Sequence, residues 1–337
     1  MNRRFFWKRP QSGRWFNMSV KGVWITWEIQ RRNKGISSAL GWDLYEIAYD
    51  NPRIIRYLKS LYKTLRILIK EKPNFVAAQN PSLLLALTVI FLKYIFGYKT
   101  VIDAHNAGLF PLENRSRFLN IVSRITQSLS DWTIVTNDAL AKVVFNNNGR
   151  AIVLPDKLPV PPNERVEREL NGETKLAFIC SFSEDEPYHE VIEAAKLLPE
   201  NIHIYITGKF NGKVNENQLP SNVKLLGFIP DKAYWSLISS VDGIIVLTTR
   251  EDCLVCGAYE AVALKRPMIL SKTRVIMNYF STGCLYAEPS VIDIQRAILE
   301  FVENKEKLST EVIDLEEKLK KEWEDDFAKL LKVIAIE

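Results

Sequence analysis

The residues best placed to do chemistry in this chain run Thr248-Thr249-Arg250-Glu251-Asp252-Cys253-Leu254-Val255-Cys256-Gly257-Ala258-Tyr259-Glu260-Ala261. An apolar run, Gly243 to Leu247, precedes them; it is too short for a helix and rich in β-branched residues, so it reads as a buried parallel strand. From about Cys256 to Leu264 the pattern is helical. A strand, a polar turn and a helix N-terminus hold an anion at the carboxyl edge of a sheet. Backbone N–H groups point outward there, and the helix dipole favours negative charge. Asp252 on the turn and Glu260 about one turn into the helix add two carboxylates that accept from hydroxyls. A ligand with both hydroxyls and phosphates suits the pair, and a sugar nucleotide is one. The alternative is that Glu251 and Asp252 merely solvate a turn and Glu260 is a surface helix residue.

The stretch resembles the donor site of GT-B glycosyltransferases of the GT4-like group (glycosyl transferases group 1). Their signature is a carboxylate, seven residues, Glu-Ala, a small apolar run and a Lys/Arg-Pro. Here that is Asp252, Glu260-Ala261, then Val262-Ala-Leu-Lys-Arg266-Pro267. Asp252 stands where the family usually has Glu. The resemblance implies an α/β chain of GT-B architecture, with two Rossmann-like domains and a C-terminal helix crossing back to the first. It implies a metal-independent, hexosyltransferase-like enzyme without cofactor that moves a sugar from a nucleotide-sugar donor to an acceptor hydroxyl. Donor-binding residues would be Asp252, Glu260, Arg250, Leu254, Val255, Cys256 and Gly257, with Phe228 in Gly227-Phe-Ile-Pro230 near the base.

One departure follows the second domain's first strand, where many members carry an Arg and a Lys that grip the diphosphate. Here Cys180-Ser181-Phe-Ser183-Glu-Asp-Glu186 has no cation. It is similar to the Ser-rich, acidic segment of the mannosyltransferases that extend dolichol-linked chitobiose. The diphosphate then falls to the helix N-terminus at Cys256-Gly257-Ala258, to Ser181 or Ser183, and to Arg250 as charge partner.

His105 lies just past a strand pattern, Thr100–Asp103. A histidine at the carboxyl end of a strand can hydrogen-bond a sugar hydroxyl or handle a proton. GT4-like enzymes often carry one there, near the donor sugar; a satisfied loop histidine is the alternative. If the reaction inverts, a carboxylate base is needed in the first domain, with Asp103 or Glu28 as candidates. Arg31, Arg32, Lys34 and Gly35 follow the first strand as Gln30-Arg-Arg-Asn-Lys-Gly35, which is not a phosphate-cradling GxGxxG. Their cations could hold the phosphates of an anionic acceptor, or they form an ordinary solvated helix start.

Strand and helix patterns must position these groups. In the first half, strands at 23–27, 41–48, 74–79, 100–103, 132–136 and 151–154 alternate with helices, including a stripe at Ile54, Leu58, Leu61, Leu65 and Leu68 and a Leu-rich run from Ser82 to Phe96. Pro155 to Gly172 reads as a linker. Strands at 175–180, 202–207, 223–226, 243–247 and 268–270 follow, with helices at 188–198, 232–240, 256–264 and 291–302 and a final amphipathic helix. The organisation expected is a basic, aromatic tail over 1–18, an acceptor domain over 19–160, a donor domain over 173–312 and a closing helix over 313–337.

Composition sets the outer limits. A chain of 337 residues is long enough for two cores. Its net charge of +5 is modest and implies no nucleic-acid partner, but cations and aromatics concentrate in residues 1–35, with Glu28 the one acid. That composition fits peripheral membrane contact or a polyanion contact; a partly disordered tail over 1–18 is the alternative. No apolar signal-peptide region is visible, and Ser82–Phe96 is too short to span a bilayer. Cys253 and Cys256 form a CxxC without a second pair, so no metal is expected. A reducing cytoplasm fits the four cysteines. The expected place is the cytoplasm, on the inner face of the membrane, and the expected acceptor is a lipid-linked saccharide. Rival readings are a non-catalytic GT-B subunit that binds a partner enzyme or membrane, and a nucleotide-sugar epimerase on the same fold.

Overall fold

The computed structural model describes residues 20–80, 82–163 and 166–336. The tail over 1–18, on which the N-terminal membrane contact rests, lies outside the described residues.

The first half forms β1 (Gly22–Thr26), α1 (Arg31–Leu40), β2 (Asp43–Glu46), α2 (Arg53–Glu71), β3 (Phe75–Asn80), α3 (Leu83–Phe96), β4 (Lys99–Ala104), α4 (Asn106–Leu109), α5 (Arg117–Leu129), β5 (Trp132–Val135), α6 (Asp138–Asn146) and β6 (Ala151–Val153). The six strands are parallel in the order β2-β1-β3-β4-β5-β6. β1 and β3 are buried at every position, because helices cover both faces of a parallel sheet. Gly22 is required at the start of β1: an added Cβ would lie 2.1 Å from the Trp42 ring. Side chains close the helix starts as their residue types allow. Ser82, Ser116 and Asn137 accept from the amides of Leu85, Leu119 and Leu140.

The second half forms β7 (Thr174–Phe178), α7 (Tyr188–Ala195), β8 (Ile202–Thr207), β9 (Val223–Gly227), α8 (Asp231–Ser240), β10 (Gly243–Val246), α9 (Cys256–Ala263), β11 (Met268–Ser271), α10 (Arg274–Tyr279), β12 (Cys284–Ala287) and α11 (Val291–Ile336). Its sheet is also parallel, in the order β12-β11-β10-β7-β8-β9. The carboxyl edge of each sheet carries the loops that meet between the domains.

Three expectations change. The short elements α10 and β12 have no counterpart in the sequence reading. The two C-terminal helices are one helix of 46 residues. No glycine or proline interrupts it, and the polar stretch between its apolar stripes is made of good helix formers. Its first turns pack Ile294, Ala297, Ile298 and Phe301 into the second domain. Its last turns put Trp323, Leu330 and Ile334 against Trp24, Ile36 and Leu154 of the first. The third change concerns α2. The helix is where the stripe predicts it, but the stripe does not lie on one buried face: Ile54, Leu58 and Leu65 are exposed, and the inner face is Ser60, Thr64, Ile67 and Leu68. Among the described residues, no helix is long and apolar enough to cross a membrane.

The helix α11 ties the domains through Trp323. The buried ring donates from Nε1 to the Pro155 carbonyl at 3.2 Å, and the Lys157 ammonium lies 4.9 Å from its centroid. Trp323→Ala should cost about 3–5 kcal/mol in urea denaturation followed by circular dichroism. Lys329→Ala, on the exposed side of the same helix, should stay within about 0.5 kcal/mol.

Candidate active site

The first-domain side of the site is built on a buried ion cluster. Arg32, in the first turn of α1, is almost fully buried. Its Nε donates to both Asp103 oxygens at 3.0 and 3.1 Å, and Nη2 donates to Asp103 at 2.8 Å and to the Leu154 carbonyl at 2.9 Å. Nη1 reaches Asp156 at 2.5 Å. Burial opposes the charge on Arg32, but the two carboxylates outweigh it and raise the guanidinium above its ordinary value. Burial likewise opposes the charge on Asp103, and Arg32 and His105 outweigh it, holding the carboxylate well below its usual range. This corrects two expectations. Asp103 is fully buried and saturated with donors, so it is not a base for an acceptor hydroxyl. Arg32 is enclosed with it and presents no donor to an acceptor.

A second chain of polar groups leads to His105. The Trp24 indole N–H can only donate, and it donates to Asn33 Oδ1 at 2.9 Å. Asn33 Nδ2 therefore donates to Gln79 Oε1 at 2.8 Å. This turns Gln79 Nε2 toward Gln30 Oε1 and toward His105 Nε2, the latter at 3.2 Å. Neutral His105 then accepts at Nε2 and carries its proton on Nδ1. The ring is partly open, 27% exposed, and its Nε2 lies 3.6 Å from Asp103 Oδ2. Glu28 is exposed, and its carboxylate accepts from Gln30 Nε2 at 3.2 Å.

Opposite stands the start of α9. Val255 is its N-cap residue, with no side chain capping it and no acid in the first turn, so the amides of Cys256 and Gly257 face outward for an anion, whereas the Ala258 N–H donates to the Val255 carbonyl at 3.1 Å. Gly257 lets the helix start sit against the sheet: an added Cβ would lie 2.9 Å from Val246 Cγ2 and 3.3 Å from Ile179 Cβ. Leu254 and Val255 pack partly buried beneath the turn, and Cys256 opens the helix on the exposed side. Glu260 is buried and accepts from the Arg31 guanidinium and from the Tyr234 hydroxyl. Burial raises its pKa, and Tyr234 and Arg31 partly offset that.

Arg31 is thus not free to hold an acceptor phosphate. It occupies the first position of α1, where the helix dipole disfavours a cation, and acids of the other domain hold it there. It pairs with Glu260 and Asp231, and its guanidinium carbon lies 5.8 and 5.2 Å from the Tyr234 and Trp235 rings. Lys34 is exposed and 3.8 Å from Glu46, and Gly35 packs beside the Lys157 Cβ.

Two asparagines join the domains at the centre. Nδ2 of Asn106 and Nδ2 of Asn137 each donate to the Asp252 backbone carbonyl at 3.2 Å. This places the Asp252 turn beside His105. At the far end Arg250 pairs with Glu113 and with Asp185, each at 3.2 Å, so its charge is already compensated. The Ser181–Glu186 loop closes on itself. One Glu186 oxygen accepts from the amides of Ser181 and Ser183 at 2.9 and 2.8 Å and from the Ser181 hydroxyl at 2.9 Å. Phe182 adopts φ +60° to bring those amides together. An internal carboxylate therefore sits where Ser181 or Ser183 was expected to hold a diphosphate. Phe228 is exposed beyond β9, with the Lys209 ammonium 5.3 Å from its ring. Sequence reasoning did not reach Gln79, Asn106 or Tyr234, and it placed Asn137 only as a cap. The one available signal was Asn106, directly after His105.

Residues 161–320 match the family model described as Glycosyl transferases group 1. No curated protein sequence matches the chain. Among solved structures, HepE of Anabaena in complex with UDP and glucose aligns with a TM-score of 0.70 at 12% identity, over 93% of this chain and 92% of that one. Sucrose-phosphate synthase of Thermosynechococcus elongatus gives 0.72 at 13% identity, over 94% and 98%. A putative UDP-N-acetylglucosamine 2-epimerase of Listeria monocytogenes gives 0.61 at 11% identity, over 88% and 91%. The fold is GT-B, two parallel six-stranded sheets each flanked by helices. The match to the group 1 glycosyltransferase model spans the second domain and the first part of α11.

The ion cluster makes a stability prediction. Arg32→Met leaves two carboxylates facing each other and should cost about 3–5 kcal/mol in chemical denaturation. Because the folded pKa of Asp103 is depressed, its contribution should be complete above about pH 4, the ordinary carboxylate value. It should be lost as pH falls below that. In Asp103→Asn that part of the acid dependence should disappear.

Proposed function

We propose that the enzyme transfers a sugar from a nucleotide-sugar donor, without a metal, to a hydroxyl of a lipid-linked saccharide at the cytoplasmic membrane face. The observation that carries the donor assignment is the uncapped start of α9, flanked by Asp252 and Glu260 and set beside His105 by the Asn106–Asp252 contact. Uridine diphosphate is the favoured nucleotide, since HepE is described in complex with UDP and with UDP-glucose.

In this reading the first-turn amides of Cys256 and Gly257 meet the leaving diphosphate. Fixed donors of this kind are worth about 3 kcal/mol each in the transition state. Glu260 keeps unused lone pairs on both oxygens after binding Arg31 and Tyr234, so it can accept from ribose hydroxyls as well. Phe228 offers a face to the base, with Lys209 beside it. Asp252 addresses hydroxyls of the transferred sugar, and His105 stands on the opposite side of that sugar. If the reaction inverts, the exposed Glu28 is the candidate base, since Asp103 is enclosed. The lipid-linked acceptor is supported by the basic, aromatic composition of residues 1–35. An epimerase on this fold, favoured by the Listeria neighbour, would consume the donor with no acceptor present.

Calorimetric titration separates the residues. Glu260→Gln should weaken UDP and a UDP-sugar alike, by about ten- to a hundredfold, from loss of a charge-assisted bond. Arg31→Ala controls for the broken ion pair and should have the smaller effect. Asp252→Asn should weaken the UDP-sugar more than UDP. If neither carboxylate variant weakens either ligand, the donor site lies elsewhere.

His105→Ala should lower turnover at least about tenfold while leaving donor affinity within about threefold, because a group beside the reacting sugar acts mainly on the transition state. Near-normal turnover would return His105 to a structural role.

A further inference from the structure

Two helices of the first domain turn small polar residues inward and leave several large apolar residues outward. In α2 the inner face includes Ser60 and Thr64, the latter accepting from the Trp27 indole at 3.1 Å. Ile54, Leu58 and Ile69 point to solvent. In α5 the inner face is Ser123, Thr126 and Gln127. Those three are satisfied: Ser123 Oγ donates to the Gly108 carbonyl at 2.7 Å, Thr126 to the Ser123 carbonyl at 2.7 Å, and Gln127 to Ser123 Oγ at 2.9 Å. Phe118, Ile121, Ile125 and Leu129 then form an outward stripe at helical spacing. Between these helices lies α3, in contact with both, with Phe91, Tyr94 and Ile95 exposed. A groove of about 370 Å³ runs between α2 and α3, lined by Leu61, Tyr62, Leu65, Thr88, Phe91 and Leu92. Scattered exposed apolar residues are ordinary, but a continuous face over three helices marks an interaction surface.

Charge decides what covers it. Cations punctuate α2 throughout, at Arg53, Arg56, Lys59, Lys63, Arg66 and Lys70. Glu71 is the one carboxylate on the three helices, and Lys21 and Lys70 already neutralise it. Pairing this face with a second copy of itself would oppose cations to cations. Arginines of α2 also lie beside its tyrosines, with Arg56 5.4 Å from the Tyr57 ring and Arg66 5.9 Å from the Tyr62 ring. Apolar side chains with adjoining Lys, Arg and Tyr match the depth profile of a lipid headgroup boundary.

We propose that the outer face of α2, α3 and α5 docks the enzyme on an anionic lipid bilayer. Helices that follow parallel strands run back along them, so the first turns of all three lie at the sheet edge that carries the cleft. Docking on this face brings headgroups to the rim of the active site. The surface is separate from residues 1–18, and it does not rest on the transferase reading.

The test is co-sedimentation of the full chain with vesicles of phosphatidylcholine alone and of phosphatidylcholine mixed with phosphatidylglycerol. The wild type should bind the mixed vesicles, and added salt should weaken binding. Leu58→Glu, Ile95→Glu and Phe118→Glu, one per helix at positions 63%, 74% and 72% exposed, combined in one chain, should lower partitioning at least about tenfold. The variant's melting temperature and its UDP titration should stay unchanged, which separates this surface from the donor site. A chain lacking residues 1–18 should still bind. A wild type that ignores both vesicle types, a triple variant that binds as the wild type does, or binding carried wholly by residues 1–18 overturns the proposal. So does self-association through this face, removed by the triple variant, in place of vesicle binding.

Discussion

The structure depends on a single guanidinium. Arg32 joins the first turn of α1, the end of β4 and the start of the linker through Asp103 and Asp156. Burying three charges is costly, and apolar residues of the same volume often give equal or better stability. What the cluster supplies is position. With Arg32 pinned inward, the preceding residue on the helix, Arg31, is turned outward toward Glu260. With Asp103 pinned at the end of β4, His105 emerges two residues later at the sheet edge. With Asp156 and Leu154 held, the chain leaves the first domain on a fixed course toward the second.

The donor site of the second domain is therefore finished by the first. Among the described residues, polar contacts bridge the domains at Arg31 with Glu260 and Asp231, at the two asparagines with the Asp252 carbonyl, at Arg250 with Glu113 and at Arg115 with Glu184. None is an apolar interlock of the kind that α11 makes at Trp323. Half-exposed ion pairs are weak and screened, so these contacts align the domains without sealing them. A cleft that must admit a sugar nucleotide and release a nucleotide benefits from that asymmetry. The self-closed Ser181–Glu186 loop belongs to the same logic. A carboxylate of the loop itself fills its amides.

Much of this was legible beforehand, for identifiable reasons. Buried strands such as Gly243–Val246 announce themselves as short β-branched runs, and Asn137 is a helix cap by residue type. Asp252, Gly257 and Glu260 could be named as candidates from one strand–turn–helix because all three are local to it. Burial of Arg32 could not, since it depends on a partner 71 residues away. In sequence, Arg31-Arg32 reads as two solvated cations. Periodicity also states that a helix has an apolar face without stating which way the face looks, and in α2 Ile54, Leu58 and Leu65 of the stripe face solvent while Leu68 is buried. Ser181 and Ser183 misled for a related reason: the sequence shows amides and hydroxyls, and only the folded loop shows that Glu186 already occupies them.

The first domain, held by Arg32, sets Arg31 on Glu260 and His105 beside the Asp252 turn, and in the proposed reading the diphosphate sits at the start of α9. The most direct test is the position of UDP in a crystal structure of the enzyme grown with it. The phosphates should lie on the amides of Cys256 and Gly257, with the ribose on Glu260 and the base against Phe228. Phosphates seated on the Ser181–Ser183 amides in place of Glu186, or at the start of α1 with Glu260 still closed on Arg31, would contradict it.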